Sequence, residues 1–353
     1  MSVPQRILIV RLGAMGDILH AMPAVPMLRA IFPKSEIGWV VEKRWCELLC
    51  SRADAKPLSE DQPLVDYVHQ VDTRMWRKNP LDRESRESAM TALREVRKKK
   101  YEIAIDFQGA IKSAAVAKLS RAPARYGFAD PWERPASLLY TRKIQTRRQH
   151  VVEKNFDLVL SLAEFPILDV GNEVLPKGDD NGAENKLREL RFTEPFAILN
   201  PGAGWGAKQW PPERYAEVAH ALGKQGLRSL VNFGPGEESL ARIVEDRSGG
   251  CAISSEFTIS QLIAVTRRSS LFIGGDTGPL HLAAVLKVPV IALFGPTDPA
   301  RTGPYGTHSI VLRDPSSVTS HKRNRETEAG LKNITSAQVI AAAHELLSQG
   351  ARA

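Results

Sequence analysis

The chain has 353 residues, 43% hydrophobic and 25% charged, the composition of a folded globular protein and not of a disordered or fibrous one. That length exceeds what one hydrophobic core usually serves, so two domains are expected. Lys and Arg number 48 against 40 Asp and Glu, a formal net charge of +8. This suits nucleic acid, an anionic membrane surface or a phosphorylated small molecule without choosing among them.

No run approaches the ~20 apolar residues that cross a bilayer, and Arg11 interrupts the short apolar run near the start. Neither a spanning helix nor a secretory signal is expected. The cysteines, Cys46, Cys50 and Cys251, come with no histidine pattern for a metal and read as buried free thiols in a reducing compartment. The expectation is a cytoplasmic protein that touches a membrane peripherally at most.

Short β-branched runs alternate with amphipathic stretches, the grammar of parallel α/β sheets. The first half offers strands "RILIVRL", "EIGWVVE" and "EIAIDFQG", with the helical pattern "ESAMTALREVRKKK" between them. Segment 169–190 is rich in Gly, Asp, Asn and Pro and reads as a turn-rich linker near residues 170–185. The second half then runs through strand "FAILNPG", helix "PERYAEVAHALGKQG", strand "SLVNFG" and helix "EESLARIVEDR". Strand "CAISS", helix "ISQLIAVTRRS", strand "LFIGG", helix "PLHLAAVLK" and strand "PVIALFG" follow. Helix "TSAQVIAAAHELLSQ" closes the chain, with Thr335 and Gln338 spaced as a capping box. The pattern describes two doubly wound α/β domains, 1–175 and 176–353, with the last helix free to pack back on the first. Ligands of such sheets bind beyond the carboxyl ends of the strands, so a cleft between two facing sheets is expected and the informative residues follow each strand.

"RLGAMGDILH" places Asp17 after Gly16 in a strand-to-helix turn, where a phosphate would find the carboxylate an obstacle. Asp17 reads either as a helix cap or as a base. "DFQGAIKSA" carries Asp106, Gln108 and Lys112, and "DTRMWRKNP" sets Arg74, Arg77 and Lys78 around Trp76 in a segment without helical period. These cations, with Arg134, read as an anion-binding loop or as a solvated face. In "LNPGAGWGAKQWPPERY", a glycine-rich loop carries one cation, Lys208, able to neutralise a departing diphosphate or simply facing solvent. "VNFGPGEES" presents Glu237 and Glu238, either of which can accept hydrogen bonds from ribose or sit in a helix first turn. "GGDTGPLHLAA" combines Thr277, Gly278 and Pro279 in a helix start suited to phosphate; the plain alternative is a capped strand–helix turn.

In order, "RLGAMGDILHAMPA", "DFQGAIKSA", "NPGAGWGAKQWP" and "GGDTGPLHLAA…LFGPTDP" resemble the ADP-heptose:lipopolysaccharide heptosyltransferases, from about Arg6 to the C-terminal helix. The resemblance implies the GT-B architecture, two doubly wound, Rossmann-like parallel-sheet domains facing each other across a cleft. The first would bind the acceptor and the second the ADP-sugar. It also implies an inverting glycosyl transfer from ADP-L-glycero-β-D-manno-heptose with no metal or other cofactor. "MGDILH", the Trp-Arg-Lys loop and "SLLYTRK" are most similar to the branch that adds the first heptose to the inner Kdo of lipid A–Kdo. Carried over by position, Asp17 is the general base. Gly204, Lys208, Asp276, Thr277, Gly278 and His281 hold the donor, Glu237 its ribose and Phe257 its adenine. Gly16, Arg74, Arg77, Lys78, Lys112 and Arg134 handle the anionic acceptor. The implied partners are ADP-heptose, Kdo–lipid A and the anionic cytoplasmic face of the inner membrane. Two departures stand out: Ala203 and Gly204 replace threonines found before the loop lysine in other members, and Met75 replaces an arginine of the acceptor loop. The alternatives are a heptosyltransferase II-like enzyme with another acceptor and a non-catalytic nucleotide-sugar-binding module. A nucleic-acid binder lacks any helix–turn–helix or stacking-aromatic pattern.

Overall fold

The computed structural model describes residues 3–52, 54–163, 174–192, 195–320 and 322–350. The chain divides into two compact units, Met1–Pro176 and Lys177–Ala353.

The first unit begins β1 (Arg6–Val10), α1 (Met15–Ala21), α2 (Ala24–Ile31) and β2 (Glu36–Glu42). It continues with β3 (Tyr67–Val71), α3 (Thr73–Lys78), α4 (Arg83–Lys98), β4 (Ile103–Asp106) and α5 (Ile111–Leu119). β5 (Ala124–Phe128), β6 (Arg142–Ile144) and α6 (Val151–Leu160) complete it. Its sheet is ordered β3-β2-β1-β4-β5-β6 and every pairing is parallel. β1 is central and buried on both sides, which is why "ILIV" is continuously apolar and not alternating. Leu8, Val10, Val40 and Ala104 on one face pack with Val96 of α4 and Ala117 of α5.

The second unit opens with α7 (Asp180–Glu189), β7 (Phe196–Asn200), α8 (Pro212–Gly223), β8 (Arg228–Phe233) and α9 (Glu238–Arg247). Next come β9 (Ala252–Glu256), α10 (Ile259–Arg268), β10 (Leu271–Gly275), α11 (Gly278–Val285) and β11 (Val290–Phe294). α12 (Pro299–Thr302), β12 (Ser309–Arg313), α13 (Ala329–Asn333) and α14 (Ser336–Gly350) end the chain. The sheet order is β12-β11-β10-β7-β8-β9, again all parallel. Successive strand residues point to opposite faces. Leu199, Val231, Ile273 and Ile291 therefore join Trp210, Tyr215, Leu222 and Val339 of the α8/α14 layer. Ile198, Leu230, Phe272 and Val290 join Leu187, Val265, Leu280 and Ala283 on the other face. α14 packs on α8 and on β11 and β12. Its start is the expected capping box: Thr335 N–H donates to Gln338 Oε1 at 2.8 Å, and Gln338 N–H to Thr335 Oγ1 at 3.3 Å.

Three expectations need correction. The linker anticipated near 170–185 gives way to α7 at Asp180, because Asp179 accepts the Gly182 N–H at 2.9 Å; a helix N-cap has the same polar composition as a turn. Residues 170–173 of that segment lie outside the described residues. The thiols of Cys46, Cys50 and Cys251 are free but only half-buried. Cys46 lies in a 3₁₀ turn, Lys43–Leu48, where burial pushes its thiol up to about 11. "DTRMWRKNP" is no irregular loop: Asp72 accepts the Met75 N–H at 2.8 Å and caps the short helix α3.

Candidate functional site

In each sheet the strand order reverses once, and the loops leaving the two strands at that point diverge to opposite faces and open a crevice. The reversal lies between β1 and β4 in the first unit and between β7 and β10 in the second. The residues singled out from sequence concentrate on these loops.

Asp17 stands in the first turn of α1, directly after the β1 loop. Its Oδ1 lies 2.8 Å from Arg11 Nη2, and its Oδ2 accepts the Ala14 N–H at 3.1 Å. Arg11 is almost buried and donates from Nη1 to the Phe107 carbonyl at 2.8 Å. The carboxylate is held from behind while its side chain remains 47% exposed, so it can still meet a hydroxyl from solvent. Capping accounts for one of its oxygens; the buried arginine accounts for the other. Across the reversal, Gln108 Oε1 accepts the Leu12 N–H at 3.0 Å and ties the β4 loop to the β1 loop.

Behind Gln108, Asp106 is fully buried. It accepts from Gln108 N–H (2.8 Å), Gly109 N–H (3.3 Å), Ser113 Oγ (2.8 Å) and the Tyr140 hydroxyl (2.7 Å). Burial raises its pKa against these four bonds. Asp106 thus sets the shape of the loop that begins α5.

Gly16 is half-buried next to Asp17. Arg74, Arg77 and Lys78 lie on α3 beyond β3, Lys112 in the first turn of α5, and Arg134 in the 3₁₀ turn beyond β5. All five cations are exposed and at the carboxyl edge of the first sheet, and none forms an ion pair among the described residues. Trp76, which they surround, packs against the core with its Nε1 3.3 Å from Ser88 Oγ. It anchors α3 and is not a free stacking platform.

In the second unit, Lys208 Nζ lies 2.6 Å from Asp276 Oδ2 and 3.1 Å from the Asp276 carbonyl, joining the β7 and β10 loops. Asp276 Oδ1 meets His281 Nε2 at 3.0 Å. Both members of the ion pair are nearly buried, at 12% and 8% exposure. Burial alone would raise the Asp276 pKa; His281 and the Lys208 charge outweigh it and hold the carboxyl well below the usual carboxylate range. Lys208 Nζ also sits 4.5 Å from the centroid of the Trp205 ring. Thr277 occupies the N-cap of α11, yet its side chain makes no capping bond, and its buried hydroxyl has no partner among the described residues. Helix geometry likewise leaves the Gly278 and Leu280 N–H groups without intrahelical acceptors. Together they offer hydrogen-bond donors beside a lysine, a combination able to hold an anion.

Glu237 folds back to accept the Gly234 N–H at 3.0 Å, and burial raises its pKa. Its carboxylate fills the space a side chain at position 202 would need, so Gly202 permits that approach. Glu238 is exposed and bonds the Gly236 N–H at 3.0 Å. Gly204 faces open space. Phe257 is half-buried against the core, with Lys186 Nζ 4.9 Å from its ring centroid.

Sequence reading passed over Arg11 as a mere interruption of an apolar run. A lone charge at the end of a buried strand needs a partner, and that was the available signal for its pairing with Asp17. It also passed over Asn200, whose Nδ2 donates to Gly202 O at 3.0 Å while its Oδ1 accepts from Asn232 at 2.6 Å. These bonds hold the start of the Lys208 loop.

Residues 90–332 match Glycosyltransferase family 9 (heptosyltransferase). The chain is similar to lipopolysaccharide heptosyltransferase 1 of Salmonella typhimurium, 27% identical over 315 residues, or 88% of this chain and 94% of the relative. It is equally similar to the Pseudomonas aeruginosa protein of that name, 27% over 319 residues, covering 87% and 83%. The structure of E. coli heptosyltransferase WaaC with ADP aligns with a TM-score of 0.78 at 27% identity, over 97% of this chain and 99% of that one. E. coli ADP-heptose lps heptosyltransferase II, 20% identical, shares the fold over 98% of this chain and 99% of its own with a TM-score of 0.75. The architecture in common is GT-B.

Proposed function

Because the chain belongs to glycosyltransferase family 9, the heptosyltransferases of lipopolysaccharide synthesis, we propose that it moves a heptose from ADP-L-glycero-β-D-manno-heptose to the inner Kdo of lipid A–Kdo. The acceptor oxygen forms a bond to C1 of the heptose as the bond from C1 to the β-phosphate breaks, with inversion. Asp17 takes the hydroxyl proton, and ADP leaves with the electron pair. The observation that carries this reading is that Asp17 and the Lys208–Thr277 group each occupy the strand-order reversal of their own sheet.

Each part follows from local chemistry. Arg11 and the Ala14 N–H orient the Asp17 carboxylate, and a positioned base contributes about 10²–10⁴-fold. Lys208, Thr277 and the start of α11 stabilise charge that grows on the diphosphate as the bond breaks, with Gly204, Asp276, Gly278 and His281 lining the same donor site. Glu237 accepts from the ribose and Phe257 packs on adenine. Gly16, Arg74, Arg77, Lys78, Lys112 and Arg134 receive the carboxylates and phosphates of the acceptor. Partners are then the ADP-sugar and the glycolipid, and the place of action is the cytoplasmic face of the inner membrane. No described helix is long and apolar enough to cross a membrane, and a net charge of +8 favours an anionic leaflet.

Incubation with ADP-heptose and Kdo–lipid A, read by product mass, tests the reading: one added heptose is expected. Asp17→Asn should lower turnover at least 100-fold with ADP affinity within twofold. A variant that keeps most of its turnover returns Asp17 to a purely structural role.

A further inference from the structure

We infer that Arg323 is a second cation for the donor diphosphate, delivered by a basic strap that crosses the Lys208 loop. The inference rests on the proposed ADP-sugar donor and adds a residue that the sequence motifs do not contain.

It starts from a charge balance. Lys208 is held at 2.6 Å by Asp276, so the pair together is nearly neutral. A diphosphate ester brings about two negative charges and gains more as ADP leaves. Ala203 and Gly204 supply no side-chain hydroxyls to the loop. Lysine and the α11 start therefore leave the leaving group short of positive charge, and a further cation is needed within reach.

The strap provides one. Residues 322–328 lie across the turn Gly206–Lys208: the Ala207 N–H donates to the Asn324 carbonyl at 3.1 Å, and the Glu328 N–H to the Ala207 carbonyl at 3.2 Å. The approach is so close that a side chain at position 206 would overlap the Arg325 carbonyl, which accounts for Gly206. On this strap the Arg323 guanidinium lies 5.5 Å from the centroid of the Trp205 ring, the same ring that Lys208 approaches at 4.5 Å. The two cations share one aromatic platform. Unlike Lys208, Arg323 is exposed and has no acidic partner among the described residues. The buried Trp205 Nε1–H and the Thr277 hydroxyl also lack acceptors among the described residues. Two like charges beside one ring are stabilised by an anion that bridges them. A guanidinium suits phosphate oxygens because its planar fork can donate two hydrogen bonds at once.

Calorimetric titration with ADP and AMP separates this role from simple shielding of Trp205. Arg323→Ala should weaken ADP binding about tenfold and AMP binding less than twofold, because only ADP presents the β-phosphate. Arg323→Lys, which keeps charge without the fork, should fall between. The residue is exposed, so the variant's melting temperature should match wild type. ADP affinity within twofold of wild type, or equal losses for ADP and AMP, would overturn the assignment. Wild-type protein that binds no ADP would remove the donor reading and this inference with it. Wild-type binding with an unaffected Arg323→Ala removes the inference alone.

Discussion

Replacing Asp276 by asparagine isolates the charge at the centre of the second unit. The carboxylate is 8% exposed, 2.6 Å from Lys208 Nζ and 3.0 Å from His281 Nε2. Removing one partner of a buried pair costs about 3–5 kcal/mol. Asparagine keeps the shape, and Lys208 keeps the residue-276 carbonyl at 3.1 Å, so the lower end, about 3 kcal/mol, is expected. For a domain of 150–250 residues that is a fall of about 6–12 °C in melting temperature. The sign of the pH dependence follows from the depressed pKa. Burial opposes ionisation, but His281 and Lys208 prevail, so the stabilisation is full above the ordinary carboxylate pKa of about 4. It is lost as pH falls further, by about 1.4 kcal/mol per pH unit. Urea unfolding of both proteins at pH 7, 4 and 3 should show a full gap at pH 7, nearly the same gap at pH 4, and a smaller one at pH 3. A variant melting within 2 °C of wild type at pH 7, or a gap that widens toward acid, would refute the reasoning.

Lys208→Ala should weaken ADP binding about 10- to 100-fold and slow turnover; unchanged ADP affinity would show that the lysine never reaches the nucleotide. Gly202→Ala drives a methyl group into the Glu237 carboxylate. ADP binding should fall several-fold while 2′,3′-dideoxy-ADP, which lacks the ribose hydroxyls, binds as before; parallel losses would argue against the ribose contact. Asp106→Ala leaves the Gln108 and Gly109 N–H groups and the Tyr140 hydroxyl without their acceptor, while Ser113 Oγ can turn to the Ala110 carbonyl at 2.9 Å, and should cost about 3–5 kcal/mol in urea unfolding; Asp106→Asn, which retains an acceptor for the two backbone N–H groups, should cost less than half as much. Equal losses for the two variants would count against the network.

Most strands readable in the sequence were those buried on both faces: β1, β2, β4, β7, β8, β10 and β11 carry apolar runs because helices cover them above and below. The edge strand β9, half-exposed along most of its length, was legible as "CAISS" from its place in the strand–helix alternation. β3, β6 and β12 lie at or next to open edges, and the exposed residues of β6 and the half-exposed ones of β12 break up any apolar pattern. "ARYGF" of β5 is interior but carries no such run. α3 escaped notice because six residues are too few to display a 3.6-residue period. At the candidate site, residue types next to strand ends were legible: a carboxylate after β1, a lysine after β7, a threonine and glycine after β10. Their partners were not.

Local order in the chain decided the alternation of strand and helix, the glycines at the turns and the chemistry each loop carries. The tertiary fold decided which of those groups meet. Arg11 and the Phe107 carbonyl are 96 residues apart, Lys208 and Asp276 are 68. Arg323 reaches Trp205 only because a distant strap crosses the β7 loop. The physical reason is the reversal of strand order: it sets β1 beside β4 and β7 beside β10. Ion pairing falls off within a few ångströms, so such pairs exist only once the sheet has brought their loops together.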